Sequence, residues 1–189
     1  MNLNNIAIFC GSSNGANESY VRAANDMGKF LALTNRKLIY GGAKVGCMGE
    51  LANASLTYHG HVIGVIPQKL VDVEIAHEDI TELHTVADMH ERKAKMAELA
   101  DGFIALPGGA GTLEEWFEVF TWLQLGYHKK PCGFLNINGF YDPLISMLEN
   151  TVKEGFMKKS YLDLIIIDPN PKSLIEKMEA FEMNSISKW

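Results

Sequence analysis

Short apolar runs alternate with longer amphipathic stretches along almost the whole chain. The first run, residues 6–10, is stopped by Gly11-Ser12-Ser13, as expected of a buried strand feeding a turn. Tyr20, Val21, Ala24, Met27, Phe30 and Leu31 then recur at helical spacing, which predicts an amphipathic helix over about 18–34. The alternation continues with strands at about 38–40, 62–66, 80–85, 103–106, 132–135 and 164–167. Helices are expected between them at about 48–58, 88–100, 113–125, 141–154 and 172–181, with Asp88 placed to cap the second of these. Strands alternating with helices imply an α/β, Rossmann-like doubly wound fold: a parallel sheet with helices on both faces and right-handed crossovers. No repeat, low-complexity tract or long linker interrupts residues 1–189, so one domain is expected.

Composition narrows the function classes. The chain has 189 residues, 47% hydrophobic and 21% charged, which is ordinary for a globular protein. Lys and Arg number 17 against 23 Asp and Glu, a net charge of −6. Nucleic-acid polymers are bound through clustered positive charge, so none is expected as a partner. A mononucleotide needs only a few local donors and stays open. Cys10, Cys47 and Cys132 are far apart, with no CxxC or zinc spacing, and are expected to be buried reduced thiols. The N-terminus has no basic region before a long apolar run, and no apolar run approaches the ~20 residues that span a bilayer. A soluble, cytoplasmic protein without a membrane partner is expected.

Three glycine-rich stretches, residues 11–15, 41–49 and 108–111, each follow a predicted strand. A parallel sheet puts all three at the edge beyond the strands' carboxyl ends, where such folds bind ligands. Glycine admits close backbone approach, and each stretch opens a helix whose free N–H groups favour an anion. Together they point to a phosphate or nucleotide site. Two familiar motifs fail. Gly41 to Gly46 has P-loop spacing, but Cys47 and Met48 replace the required Lys and Ser/Thr. Gly109-Ala110-Gly111 begins like a dinucleotide fingerprint, but Glu114 stands where the third glycine belongs, so no nicotinamide cofactor is expected.

Two segments admit both a structural and a chemical reading. Thr112 and Glu115 have the spacing of a capping box, which would make Glu115 structural. At the ligand edge the same carboxylate could orient water or stabilise a developing cation. Residues 89–96 form a basic run that reads either as a solvated face with a Glu91–Lys95 pair or as a helix aiming Arg92 at that edge. His90 is expected at the helix surface or in packing, and the remaining histidines show no interpretable spacing. Trp116, Phe117, Val119, Phe120, Trp122, Leu123 and Leu125 surround their helix, which fits either an aromatic core or, as preferred here, a homodimer interface.

The residues from Pro107 to Glu115 fit the PGGxGTxxE motif of the LONELY GUY (LOG) family, the cytokinin riboside 5′-monophosphate phosphoribohydrolases. Met89-His90-Glu91-Arg92-Lys93 fits its second motif, at the right distance. The resemblance runs from the segment 9–13 through 40–42 and 64–67 to Thr121-Trp122 and Gly155-Phe156, and so covers most of the chain. It implies a Rossmann-like homodimer that hydrolyses the N-glycosidic bond of a nucleoside 5′-monophosphate, giving free base and ribose 5-phosphate. It also implies Arg92 and Glu115 as the catalytic pair. Glu74, Lys93, Gly109, Ala110, Gly111, Thr112 and Thr121 are its substrate contacts, and Gly11, Ser12 and Gly42 join them at the glycine-rich edge. Neither cofactor nor metal is expected. A lysine decarboxylase, a label often given to such proteins, is not expected, because no lysine has the context of a Schiff base to pyridoxal phosphate. The alternatives are a non-catalytic carrier of a phosphate-bearing ligand, resembling molybdenum cofactor carriers, and a broader purine or pyrimidine nucleotide nucleosidase.

Overall fold

The computed structural model of the chain describes residues 2–73 and 75–183. Its strands are β1 (Asn5–Phe9), β2 (Lys37–Tyr40), β3 (Val62–Pro67), β4 (Glu82–Val86), β5 (Gly102–Ala105), β6 (Cys132–Leu135) and β7 (Ile165–Asp168). They form a sheet in the order β4-β3-β2-β1-β5-β6-β7, and each neighbouring pair is parallel. The helices are α1 (Glu18–Leu33), α2 (Gly46–Thr57), α3 (Gln68–Val71), α4 (Met89–Leu99), α5 (Ala110–Leu125), α6 (Asp142–Lys153), α7 (Lys159–Leu162) and α8 (Pro171–Glu179).

Side chains alternate across a strand, so a sheet covered on both faces must be apolar at successive positions. Ile6 and Ile8 of β1 enter one core, with Met27 and Leu31 of α1, Leu51 of α2 and Met178 of α8. Ala7 and Phe9 enter the other, with Met96 of α4 and Trp116, Val119 and Phe120 of α5. The doubly wound reading of the sequence therefore holds. Most elements begin or end within two residues of the expected position. The short α3 and α7 and the 3₁₀ turn Ile137–Gly139 were not anticipated, because a single turn shows no periodicity.

The sequence places the start of α5 at about residue 113, but the helix starts at Ala110. Its first turn, Ala110-Gly111-Thr112, carries no large apolar residue, so the periodic signal begins only at Leu113. Trp116, Val119, Phe120 and Leu123 of this helix are buried, Trp116 stacking on Phe134 at 4.0 Å and donating from Nε1 to Gly133 O at 3.1 Å. Phe117 and Trp122 are half-buried and Leu125 is 40% exposed, so the helix is core on one side only.

The order of strands reverses direction at β1 and β5. The chain leaves β1 toward β2 and leaves β5 toward β6, so the loops after these two strands diverge and open a crevice at their carboxyl ends. Gly11 N donates to Pro107 O at 3.2 Å and ties the two loops at its base.

Candidate active site

A cleft of about 330 Å³ occupies this crevice. Cys10, Gly11 and Ser12 line it from the end of β1, Gly41 from the end of β2, Met48 from α2, Met89 and Arg92 from α4, Gly109 from the loop before α5, and residues 110–112, Glu114 and Glu115 from α5.

Helix α4 supplies the cation. Asp88 caps it, its Oδ1 accepting from the N–H groups of His90 and Glu91, both at 2.9 Å. Glu91 reaches back to Ala87 N at 2.6 Å, so it closes the cap instead of pairing with Lys95, which meets Glu98 at 3.0 Å. The solvated-face reading of the basic run fails for Arg92 and Lys93, each only 7% exposed, while His90 is exposed as expected. Arg92 Nη2 donates to Gly41 O at 3.2 Å, and Nη1 to Met89 Sδ at 3.5 Å. A β-carbon on Gly41 would collide with this guanidinium, so glycine is what lets Arg92 lie across the strand end.

Helix α5 supplies the carboxylate and a row of backbone donors. Its N-cap is Gly109, which has no side chain to accept a hydrogen bond. Thr112 therefore lies inside the first turn rather than capping it, and the capping-box reading of Thr112 and Glu115 is corrected. The first N–H groups of a helix have no intrahelical acceptor, so those of Ala110, Gly111 and Thr112 are available to a ligand. Nothing lies within 4 Å of where a β-carbon would stand on Gly109 or Gly111. Thr112 packs its hydroxyl against Gly108, at the back of the loop.

Glu115 lies 3.7 Å from Arg92 Nη2 through Oε1, and the two side chains are about 10% and 9% exposed. Burial raises the Glu115 carboxyl above its ordinary value; Arg92 and Lys93 oppose this, and Glu114 and Glu118 add to it. Cys10, at the end of β1, is pushed well up by burial and by the neighbouring Cys47 and Glu115, so its thiol stays protonated. All three cysteines are free and buried, as expected.

The structure brings together Arg92, Glu115, Gly11, Ser12, Gly109, Ala110, Gly111 and Thr112. Lys93, Gly42 and Thr121 do not line the cleft. Lys93 Nζ is bonded to Glu114 and lies 3.1 Å from Glu118. Gly42 has φ +75° and its carbonyl accepts from His77 N at 2.8 Å, a turn that orients the loop around Gly41. Thr121 is exposed on α5. Glu74 lies outside the described residues. Cys10, Met48 and Met89 line the cleft without having been expected as substrate contacts, although Cys10 directly precedes Gly11 and Met89 stands a turn before Arg92 on the same helix face. Among the described residues no group of three or more His, Cys, Asp or Glu could hold a metal ion, and no helix is long and apolar enough to cross a membrane.

Fold and crevice define the class: Rossmann-like α/β proteins with a cleft at the switch point. Solved structures of the same fold include the molybdenum cofactor binding protein of Rippkaea orientalis, with a TM-score of 0.71 and 22% identity over 95% of this chain and 98% of that one. The molybdenum cofactor carrier protein of Chlamydomonas reinhardtii matches with a TM-score of 0.68 and 20% identity, over 94% and 98% of the two chains. At that identity the likeness is one of fold alone. The family model described as "Possible lysine decarboxylase" matches residues 48–178. The cytokinin riboside 5′-monophosphate phosphoribohydrolase LOG4 of Arabidopsis thaliana is 49% identical over 93% of this chain and 82% of its own length. The LOG protein of the same description from Oryza sativa subsp. japonica is 48% identical over 93% of this chain and 73% of its own. The chain belongs to the LOG family.

The decarboxylase wording of the family model does not suit the site. Among the described residues no lysine lines the cleft. Burial pulls the Lys93 ammonium down, but Glu114 and Glu118 outweigh it and hold its pKa above the ordinary value. A lysine that forms a Schiff base needs the opposite shift.

Proposed function

We propose that this chain hydrolyses the N-glycosidic bond of N6-modified adenosine 5′-monophosphates, N6-isopentenyl-AMP among them, and of AMP, releasing the free base and ribose 5-phosphate. The observation that carries this reading is the buried Arg92–Glu115 pair, set in one cleft with the free backbone donors of α5. The 5′-phosphate rests on the N–H groups of Ala110, Gly111 and Thr112, where the helix dipole and the space over Gly109 and Gly111 favour a bulky anion. Gly11 and Ser12 border the substrate from β1.

Breaking the bond from C1′ to the base leaves positive charge on the ribose, as in glycoside hydrolysis, and sends the bonding pair to the base nitrogen. The Glu115 carboxylate stabilises that charge and accepts the proton of the water that attacks C1′; an equivalent proton passes to the base nitrogen, by way of solvent, so that free base leaves and Glu115 returns to its carboxylate. Arg92 stays protonated throughout and offsets the negative charge gathering on the departing base. The family resemblance assigns the ribose hydroxyls to Glu74. The Met48 and Met89 thioethers give the base an adaptable apolar wall, consistent with bases that differ at N6.

The working unit of this reading is a single-domain, cytoplasmic homodimer. Its support is the outer side of α5, where half-buried Phe117 and Trp122 continue into Leu125, 40% exposed, Tyr127, 78%, and nearby Phe156, 89%. Sedimentation of the pure protein at micromolar concentration is expected to give twice the chain mass of 21.0 kDa.

The activity is tested by incubating the protein with AMP, N6-isopentenyl-AMP, IMP and CMP and quantifying free base by chromatography. Release from the first two supports the reading. Equal release from all four points to a broader nucleosidase. Binding without release from any of them returns the cleft to a carrier.

A further inference from the structure

The substrate contact implied for Lys93 disagrees with where its ammonium lies. Lys93 follows Arg92 on α4, its side chain is only 8% exposed, and its Nζ is held by two carboxylates of α5, Glu114 and Glu118. Those two residues bracket Glu115 in sequence. The neighbours of the catalytic pair thus form a clasp between the two helices that carry it. We infer that Lys93 is a positioning residue: through Glu114 and Glu118 it locks α4 to α5, fixes the spacing of Arg92 and Glu115, and sets the charge around the Glu115 carboxyl. This inference rests on the hydrolase reading of the pair.

Among the described residues, the charges facing Glu115 are few. Arg92 and Lys93 come from α4, Glu114 and Glu118 from α5, and the Cys10 thiol from β1. Two cations thus balance two flanking carboxylates, and a carboxyl that must be ionised to take a proton depends on that balance. Without Lys93 only Arg92 opposes the two flanking carboxylates, and the ionised form of Glu115 becomes harder to reach. Without Glu118 the effect reverses. A lysine that gripped substrate instead would show its loss mainly as a raised KM.

The full-length chain and its Lys93→Met, Lys93→Arg and Glu118→Gln variants decide the matter. The Glu115 carboxyl is titrated by carbon-13 NMR, its signal assigned by loss in Glu115→Gln, and kcat and KM for AMP are followed against pH. Lys93→Met is expected to raise the Glu115 midpoint by about one pH unit. The acidic limb of kcat should move with it, lowering kcat up to about tenfold below the midpoint while KM changes less than about twofold. Lys93→Arg restores the midpoint, and Glu118→Gln lowers it. An unmoved midpoint in both Lys93→Met and Glu118→Gln overturns the clasp, and an unmoved midpoint with KM raised tenfold or more makes Lys93 a substrate ligand. If Lys93→Met does not fold, Glu118→Gln carries the same test with the opposite sign. If the wild-type chain releases no base, the hydrolase reading fails, and the NMR titration alone still judges the clasp.

Discussion

Helices α4 and α5 enter the same edge of the sheet, one after β4 and the other after β5, and they begin in opposite ways. The start of α4 is closed: Asp88 takes two of its N–H groups, and Glu91 binds back to the chain before it. The start of α5 is open, with a glycine at the cap and no side chain to satisfy its first turn. A glycine cap gives up only a few tenths of a kcal/mol, roughly, against a side-chain cap. The closed helix is the one that presents side chains to the cleft, Met89 and Arg92, and holding them in place requires a rigid first turn. The open helix presents its backbone, and in the proposed reaction the substrate phosphate supplies the cap that the sequence withholds.

The largest effect should come from the carboxylate of α5. Glu115→Gln removes the charge, keeps the shape, and is expected to lower base release about 10²-fold or more. Because Glu115 takes no part in capping α5, the far-ultraviolet circular dichroism of the variant should match wild type. Near-wild-type turnover would leave Glu115 a partner for Arg92 and nothing more.

The open start itself can be closed. Gly109 has φ −92° and ψ −158°, a backbone any residue adopts, with free space beyond it. Gly109→Asp should therefore cap α5, as Asp88 caps α4, and put a carboxylate where the phosphate belongs. Helix-end charge interactions of roughly 1 kcal/mol translate into a rise in KM of about fivefold for AMP, with a melting temperature equal to or above wild type. Should KM stay unchanged, the phosphate does not rest on this helix.

The contrast between the two helices was only half legible in the sequence. Asp88 is a strong N-cap type before an amphipathic stretch, and it caps as expected. The start of α5 was misread because Thr112 and Glu115 carry the spacing of a capping box, and spacing cannot tell which glycine in Gly108-Gly109-Ala110-Gly111 ends the loop. The strands were legible because burial on both faces makes them continuous apolar runs. Arg92 and Lys93 looked alike as two cations in one basic run. Their difference is made by partners far along the chain, Gly41 and Glu115 for one, Glu114 and Glu118 for the other, and no local pattern encodes such pairings.

A third change tests the closed helix. Asp88→Ala frees the N–H groups of His90 and Glu91 and should cost about 1 kcal/mol of stability, read as a lower urea midpoint with an unchanged slope. The ratio kcat/KM for AMP should fall less than in Gly109→Asp, because Arg92 keeps its bond to Gly41 and its place beside Glu115. A stability unchanged within error would mean that water replaces the cap at no cost.

The smallest effect is one of pH. Burial raises the Glu115 carboxyl above its ordinary value in the folded chain. A group whose pKa is raised on folding binds more protons in the native state than in the unfolded one, so stability falls as pH rises from the ordinary carboxylate value through the raised one. Glu115→Gln removes that dependence. The difference in melting temperature between variant and wild type should therefore grow in the variant's favour from pH 4 to pH 8. A difference that shrank over that range would mean that Arg92 stabilises the charged carboxylate more than burial penalises it, and Glu115 would then be a structural ion pair of the closed kind rather than a reactive group on the open helix.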